Sequence, residues 1–542
     1  MLCVSVFSLY LFPIYPDEIQ VRFWLSRLLN DYPYKISGAP TCISSFFQPI
    51  QATLYLPSLV NWVIHGGLNN IVALRLVGIF VALFWVSGLA YYLNKKNKST
   101  VLNGDIKLGS NFENMNSVGF IIAIFFIGVF PVFLISNRNE QLILPSIILL
   151  ILVFLGCNQS HSKMTFWKKM TLVFIYFLSV SLVLFGHPKG LFLMPFFLLV
   201  GFNLFRTFNS KTALIGGMVL TLFHVFQAYI AWTSAFQCKE MPQFSLMLKS
   251  FSFDPASLIY DPAYFFQTAY RSLINFHKYL NQIGFQKLTD ISYLPSQSLA
   301  ISAKIANFFI KLNTSIIFFT LLVSLPICFY KKDLVFRRVV SINLLLLVLF
   351  ICGLISAIFN LPKNWYDAGY MYALLVIILI FFLGENFHKY FQTNIARRIM
   401  IYFGAVSLLS QAVFIQRNLL PFLSDYSGPG VPIATYEHIK LQHELKAASQ
   451  ACKIDPVSSK RVIVDDYTYL YFRKSKWPMA ISYIGFHNDE NGVRDFFSKI
   501  NSDGLVVNCF SSLIRPYEAV IKKEGSICCI TKVDLVNLSN HR

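Results

Sequence analysis

The chain has 542 residues, of which 55% are hydrophobic and 13% charged, against about 25% charged in soluble globular domains; its mean hydropathy is +0.56. This composition excludes a soluble globular protein, because the apolar residues fall in blocks of about 17 to 25, the length of a bilayer-spanning helix. The net charge of +20 is no nucleic-acid footprint: Lys and Arg lie scattered between apolar blocks, where they fix topology and meet anionic headgroups, so membrane lipids are expected partners and nucleic acid is not.

Lipid offers no water to an open backbone, so the spanning elements must be helices. The expected fold is a polytopic α-helical membrane protein with about eleven transmembrane helices over residues 1–420, followed by a small C-terminal α/β domain over 421–542. The first apolar block, 1–15, is short for a full crossing. It has no basic n-region and no small-residue cleavage site, so it is read as a shortened first helix or as a block whose start lies upstream, not as a signal peptide. "PIYPDEIQVR" follows and places Asp17 and Glu18 side by side after that block. Two amphipathic candidates fill the rest of the loop to about residue 69, "DEIQVRFWLSRLL" and "QPIQATLYLPSLVNWVIHGG", the first suited to lying in the interface. Further spans are expected at roughly 70–93, 118–136, 141–157, 170–186, 190–205, 212–232, 308–330, 339–360, 370–384 and 399–420.

Every second loop is basic: "NKKNKS", "KMTFWKK", "FRTFNSK", "YKKDLVFRR" and "HKYFQTNIARR". The positive-inside rule places these in the cytoplasm. The alternate loops then face outward and carry Asp17-Glu18, "SNRNEQ", "GHPKG", the long segment 233–306 and "LPKNWYDAGY". The polar motifs thus gather on one side of the membrane.

The tail, also outward, is polar and mixed in charge, with β-like runs "RVIVDD", "GLVVNCF" and "SICCITKV" and an amphipathic helical run "NGVRDFFSKI", after the Gly/Pro linker "YSGPGVP". Ten cysteines show no metal-ligand spacing. Cys157, Cys328 and Cys352 lie in or beside apolar blocks and read as small hydrophobes. Cys238, Cys452, Cys509, Cys528 and Cys529 lie outside the spans, where an oxidising compartment would allow some to pair; the connectivity is not legible.

Each outward motif has a structural and a chemical reading. Asp17 and Glu18 suit the first turn of a helix. A carboxylate beside another in a partly apolar site also has a raised pKa and suits a general base. "SNRNEQ" is a charged turn or a site with Arg138, whose guanidinium matches phosphate oxygens in a bidentate pair, and Glu140. "GHPKG" is a tight turn with a snorkelling lysine, or a place where His187 and Lys189 stabilise charge developing on a leaving phosphate. In "LPKNWYDAGY", Trp365 and Tyr366 read as interface anchors and Lys363 as a further phosphate contact. Two Asp-Pro pairs, at Asp254 and Asp261, read as turn initiators, as do Asp465 and Asp466. His224, inside a span, is packed or faces a cavity.

The acidic pair directly after the first span, followed by a helix with Arg, resembles the GT-C class of integral-membrane glycosyltransferases, in particular its protein O-mannosyltransferase and aminoarabinose-transferase branch. The likeness covers the topology of 1–420 and leaves the tail unmatched. It implies a polyprenyl-phosphate sugar donor, a lipid, glycan or protein acceptor, and sugar transfer at the outer face. It also implies an acidic residue in the second outer loop, here Glu140. Asp17 would take the acceptor proton, and Glu18 or Glu140 would orient the acceptor or a metal ion. Arg138, His187, Lys189 and Lys363 would hold the donor phosphate. Metal dependence stays open: some relatives need a divalent cation, Mg or Mn, and others do not, with Asp17 and Glu18 as candidate ligands here. The expected location is a bacterial inner membrane with a periplasmic tail. The rivals are an O-antigen ligase or polymerase, which relies on Arg and His in a large outer loop, and a lipid-glycan flippase or transporter, which predicts repeats, charges within spans or broken helices. A non-catalytic scaffold would leave the outward clustering unexplained.

Overall fold

A computed structural model describes residues 71–101, 119–135 except 129, 139–159, 164–236, 257–276, 301–330, 341–359, 365–387, 394–416 and much of 435–540. Among these, seven helices are long and apolar enough to cross a membrane, and two shorter apolar ones accompany them. The protein is a helical membrane protein.

In chain order the membrane helices are α1 (Ile71–Val101), α2 (119–125), α3 (Phe130–Ile135), α4 (Asn139–Gln159), α5 (Phe166–Gly186), a 3-10 turn (Pro188–Leu193), α6 (Met194–Arg206) and α7 (Lys211–Phe236). Two loop helices follow, α8 (Ser257–Tyr260) and α9 (Pro262–Ile274), then α10 (Ile301–Phe329), α11 (Ile342–Ile358), α12 (Trp365–Asn386) and α13 (Asn394–Phe414). Short connections make chain neighbours antiparallel, so that α4 packs along α5, α6 on α7 and α11 on α12, while α10 packs on α13 across two intervening helices of the chain. The core helix is α12, with Ala373 to Phe381 almost wholly buried. Lipid tails are as apolar as leucine, so close packing and internal hydrogen bonds hold such helices together.

Many of those bonds lie where the basic loops emerge. Asn203 Nδ2 donates to Asn158 Oδ1 at 2.9 Å and to Phe154 O at 3.2 Å, joining α6 to α4. Asn386 Nδ2 donates to Asn343 Oδ1 at 2.8 Å, joining α12 to α11. Tyr92 of α1 donates to Glu385 Oε1 of α12 at 2.7 Å, and Lys169 Nζ donates to Thr207 O at 2.6 Å. Each amide or carboxylate satisfies a partner that lipid could not.

The expected continuous span at 118–136 is interrupted. Helical backbone stops at residue 125 and resumes at Phe130, with Gly128 at φ +57°, a region that costs glycine nothing. The opened groups are met from the side: Tyr372 Oη donates to Ile124 O at 2.9 Å, and Ser407 Oγ and Gln411 Nε2 each donate to Phe126 O at 3.0 Å. Gly128 N donates to Ser410 Oγ.

Within 435–540, α14 (Thr435–Ala451) covers a five-stranded sheet of order β2-β1-β3-β5-β4. Its strands are β1 (Val462–Val464), β2 (Met479–Ala480), β3 (Gly504–Asn508), β4 (Lys522–Glu524) and β5 (Ile527–Thr531), and α15 (Lys532–Asn540) closes the chain. β1 is parallel to β2 and β3; β5 is antiparallel to β3 and β4. Leu445, Ala448, Ile454, Val462, Val464, Val506 and Ile527 form the core beneath α14. Cys528 and Cys529 are adjacent on β5, so they point to opposite faces. Cys529 pairs with Cys452 on the helix-covered face and Cys528 with Cys509 on the other. Cys157, Cys328 and Cys352 are not disulfide-bonded.

The bridges span sequence separations of 77 and 19 residues, for which loop entropy gives about 4.5 and about 3 kcal/mol. Cys452, Cys509, Cys528 and Cys529 are therefore expected to resist alkylation in the denatured full chain until it is reduced. Cys452→Ser with Cys529→Ser is expected to make the tail more susceptible to limited proteolysis than Cys509→Ser with Cys528→Ser. Alkylation of all four thiols before reduction, read by peptide mass, would refute the pairing.

Candidate functional site

The best-defined polar feature opposite the basic loops is the "GHPKG" turn. α5 ends at Gly186, and His187 (φ −160°, ψ 146°) both caps it and opens the 3-10 turn. Pro188 takes the first position, where a missing N–H costs nothing. His187 Nδ1 accepts from Lys189 N–H at 3.2 Å, so the neutral ring carries its proton on Nε2. Gly190 N donates to His187 O at 2.9 Å. A Cβ on Gly190 would stand 2.3 Å from Val183 O and 2.8 Å from Val183 C, so the turn is pressed against the backbone of α5 and glycine is required. Trp232 of α7 donates from Nε1 to Leu184 O at 2.9 Å and finishes that helix end.

This turn directs Lys189 inward. The residue is 4% exposed, and its ammonium lies over the Tyr370 ring of α12, 5.3 Å from the centroid. A lysine normally keeps its charge in water and buries only its stem; here the whole residue is withdrawn among helices. The ring face offers negative quadrupole charge, worth about 2 kcal/mol where water is excluded, which offsets part of a desolvation cost of several kcal/mol. Aromatic rings extend from the turn: Phe192 stacks on Phe359 at 4.9 Å, and Phe359 meets Phe265 of α9 at 4.9 Å.

Of the residues singled out from the sequence, His187 and Lys189 are brought together with Tyr370, whose motif was recognised but whose role under Lys189 has no sequence signature. Asp17, Glu18, Arg138 and Lys363 lie outside the described residues. Glu140 falls in the first turn of α4, and its side chain is likewise outside them. Gln141, next to it, is a residue that sequence reasoning passed over. It is 3% exposed, and its Nε2 donates to Leu134 O at 3.1 Å, holding the "SNRNEQ" corner to the end of α3. Among the described residues no three His, Cys, Asp or Glu side chains group as a metal site; the candidate ligands Asp17 and Glu18 are not among them.

His224 contacts Ser181 at 2.6 Å through Nε2, a spacing that invites a nucleophile reading. Ser181 Oγ, however, donates to Phe177 O at 2.8 Å. It therefore accepts from His224, and the imidazole Nε2 carries a proton instead of removing one. With Phe185 edge-on at 5.4 Å, His224 is a packed interhelical tie.

The chain matches no protein-family model and no curated protein.

Gly190→Ala is expected to destabilise the full-length protein in detergent by about 1–3 kcal/mol, the cost of an overpacked contact. Gly216→Ala, at a helical position with nothing within 4 Å of a Cβ, is expected to be neutral or stabilising by up to about 1 kcal/mol. Equal melting temperatures for the two variants would show that the turn does not lie against Val183.

Proposed function

We propose that the protein is a glycosyltransferase that moves a sugar from a polyprenyl-phosphate donor to an acceptor on the membrane face opposite the basic loops. The observation that carries this reading is the withdrawn cation at that face: Lys189, 4% exposed and set over Tyr370, with His187 in the same turn. Withdrawing an ammonium from water costs several kcal/mol. It suits a phosphate whose negative charge grows as a glycosidic bond breaks, because a preplaced cation then stabilises the transition state more than the ground state.

In this reading the donor's isoprenoid tail lies among the helices and its phosphate meets Lys189, Arg138 and Lys363. Asp17 accepts the proton of the attacking hydroxyl, and Glu18 or Glu140 orients the acceptor. The hydroxyl oxygen bonds to the anomeric carbon as the bond to the phosphate oxygen breaks, with inversion, and the lipid phosphate leaves with the electron pair. The paired cysteines of the tail support its placement in an oxidising compartment, the periplasm of a bacterial inner membrane. The eleven-span topology belongs to the same proposal. A divalent cation, where one binds, would supply charge stabilisation at Asp17 and Glu18.

A second reading, a flippase or transporter of lipid-linked glycans, is favoured by one observation, the interruption between α2 and α3, because broken helices line many transport sites.

The test is transfer from radiolabelled polyprenyl-phosphate sugars by the purified full chain. Asp17→Asn is expected to lower the rate by about 10²- to 10⁴-fold, the range of a lost general base, and Lys189→Ala by roughly 10²-fold or more. Full activity in Asp17→Asn removes that residue from the chemistry. Donor binding without transfer, together with movement of the lipid-linked sugar between leaflets of a vesicle, establishes the second reading in place of the first.

A further inference from the structure

The loop helix α9 is well terminated. Asp261 accepts from Tyr264 N at 3.0 Å, with Pro262 at the first position, and Asn275 Nδ2 donates to Arg271 O at 2.9 Å at the other end. Such caps define a deliberate helix of 13 residues, about 20 Å long. Its side chains divide into three sectors at 100° per residue. Phe265, Thr268, Ala269 and Ser272 turn toward the protein and are partly or wholly buried. Phe266, Tyr270 and Leu273 lie within about 60° of one another and are 63%, 64% and 53% exposed. Gln267 and Arg271, also exposed, follow on the next part of the circumference, flanked by Ile274 and Tyr264, which are 56% and 46% exposed. A helix lying in water would not expose so many large apolar and aromatic side chains.

The neighbouring surface identifies the cover. Phe265 seats α9 on Phe359, the C-cap residue of α11, at 4.9 Å. One and two turns below Phe359 on that helix, Ile355 and Ile351 are 38% and 46% exposed, as side chains facing lipid tails are. The apolar strip of a membrane helix therefore runs up to the point where α9 begins, and the apolar sector of α9 continues it.

We propose that α9 lies in the membrane interface as an in-plane helix, with Phe266, Tyr270 and Leu273 among the acyl chains of the phospholipid leaflet and Gln267 and Arg271 at headgroup level. Aromatic side chains suit that boundary, and Arg271 meets lipid phosphates there. The Phe265–Phe359–Phe192 stack then ties the leaflet-seated helix to the turn that carries Lys189.

The full chain is reconstituted in phosphatidylcholine vesicles with brominated acyl chains, and tryptophan is introduced singly as Phe266→Trp, Tyr270→Trp and Gln267→Trp. Emission is read as the increment over the parent with its seven tryptophans. The expected result is a roughly twofold loss of the added emission at 266 and 270, with little loss at 267. Equal quenching at all three positions, or none at 266 and 270, overturns the proposal. Unquenched but blue-shifted emission at 266 and 270 means that protein covers the face, and also overturns it. Size-exclusion with light scattering then distinguishes a second copy from another segment of the same chain as the cover.

Discussion

A bilayer interior leaves each unpaired backbone N–H or C=O at a cost of several kcal/mol, and this constraint shapes the rest of the molecule. Among the described residues it is met mostly by regular helix, so the informative places are those where helix stops inside the bundle. At the interruption after residue 125, three side chains from α13 and one from α12 reach across to the opened backbone. Ser407, Ser410 and Gln411 are polar residues on a membrane helix because the segment opposite is not helical. At the "GHPKG" turn the same constraint is met by a glycine without a side chain, a histidine ring that accepts a backbone N–H, and a tryptophan that donates to a helix-end carbonyl.

The two ends of the bundle are built differently. Where the basic loops emerge, Asn–Asn pairs and a Tyr–Glu bond tie helix to helix directly. At the other end ring-on-ring contacts surround one withdrawn lysine, beside the hydrogen bonds of Trp232 and Gln141 to helix-end carbonyls. Aromatic stacks have directional preferences but no obligatory partner, so their members can shift without stranding a buried donor. In the proposed transferase, the end that admits a lipid-borne donor would benefit from that tolerance, and an end that only holds the helices in register would not need it.

The membrane class was legible because it depends on block length and composition alone. The C-terminal sheet strands at 462–464, 504–508 and 527–531 were legible too, as runs of β-branched and apolar residues between turn signals. The disulfide pairing was not: it depends on which strand faces place Cys528 and Cys529, and adjacent cysteines leave no trace of that in sequence. The interruption near Gly128 was hidden for a related reason. "FFIGVF" is apolar throughout, and what permits the break is a trio of polar residues almost three hundred positions away. The position of Lys189 was half legible. Its motif predicted a turn with a cation, but its burial depends on Tyr370, brought there by the packing of the 3-10 turn and α12 around α11.

The interruption bears on the choice between transfer and transport. Transport sites built on unwound helices use backbone carbonyls to hold the substrate or its coupling ion, and such carbonyls must be open to the ligand. Here Phe126 O already accepts two side-chain donors and Ile124 O accepts a third. Ile127 O accepts from Phe130 N at 3.1 Å. Among the described residues, Gln411 Oε1 is a buried side-chain acceptor without a partner beside this break, and one neutral amide oxygen is a poor cation site when hard ions take six or more oxygens. The break therefore behaves as a filled joint. Lys189, by contrast, is withdrawn over an aromatic face at a helix end, a placement that suits contact with an anionic group. That contrast weights the enzyme reading over the transporter reading.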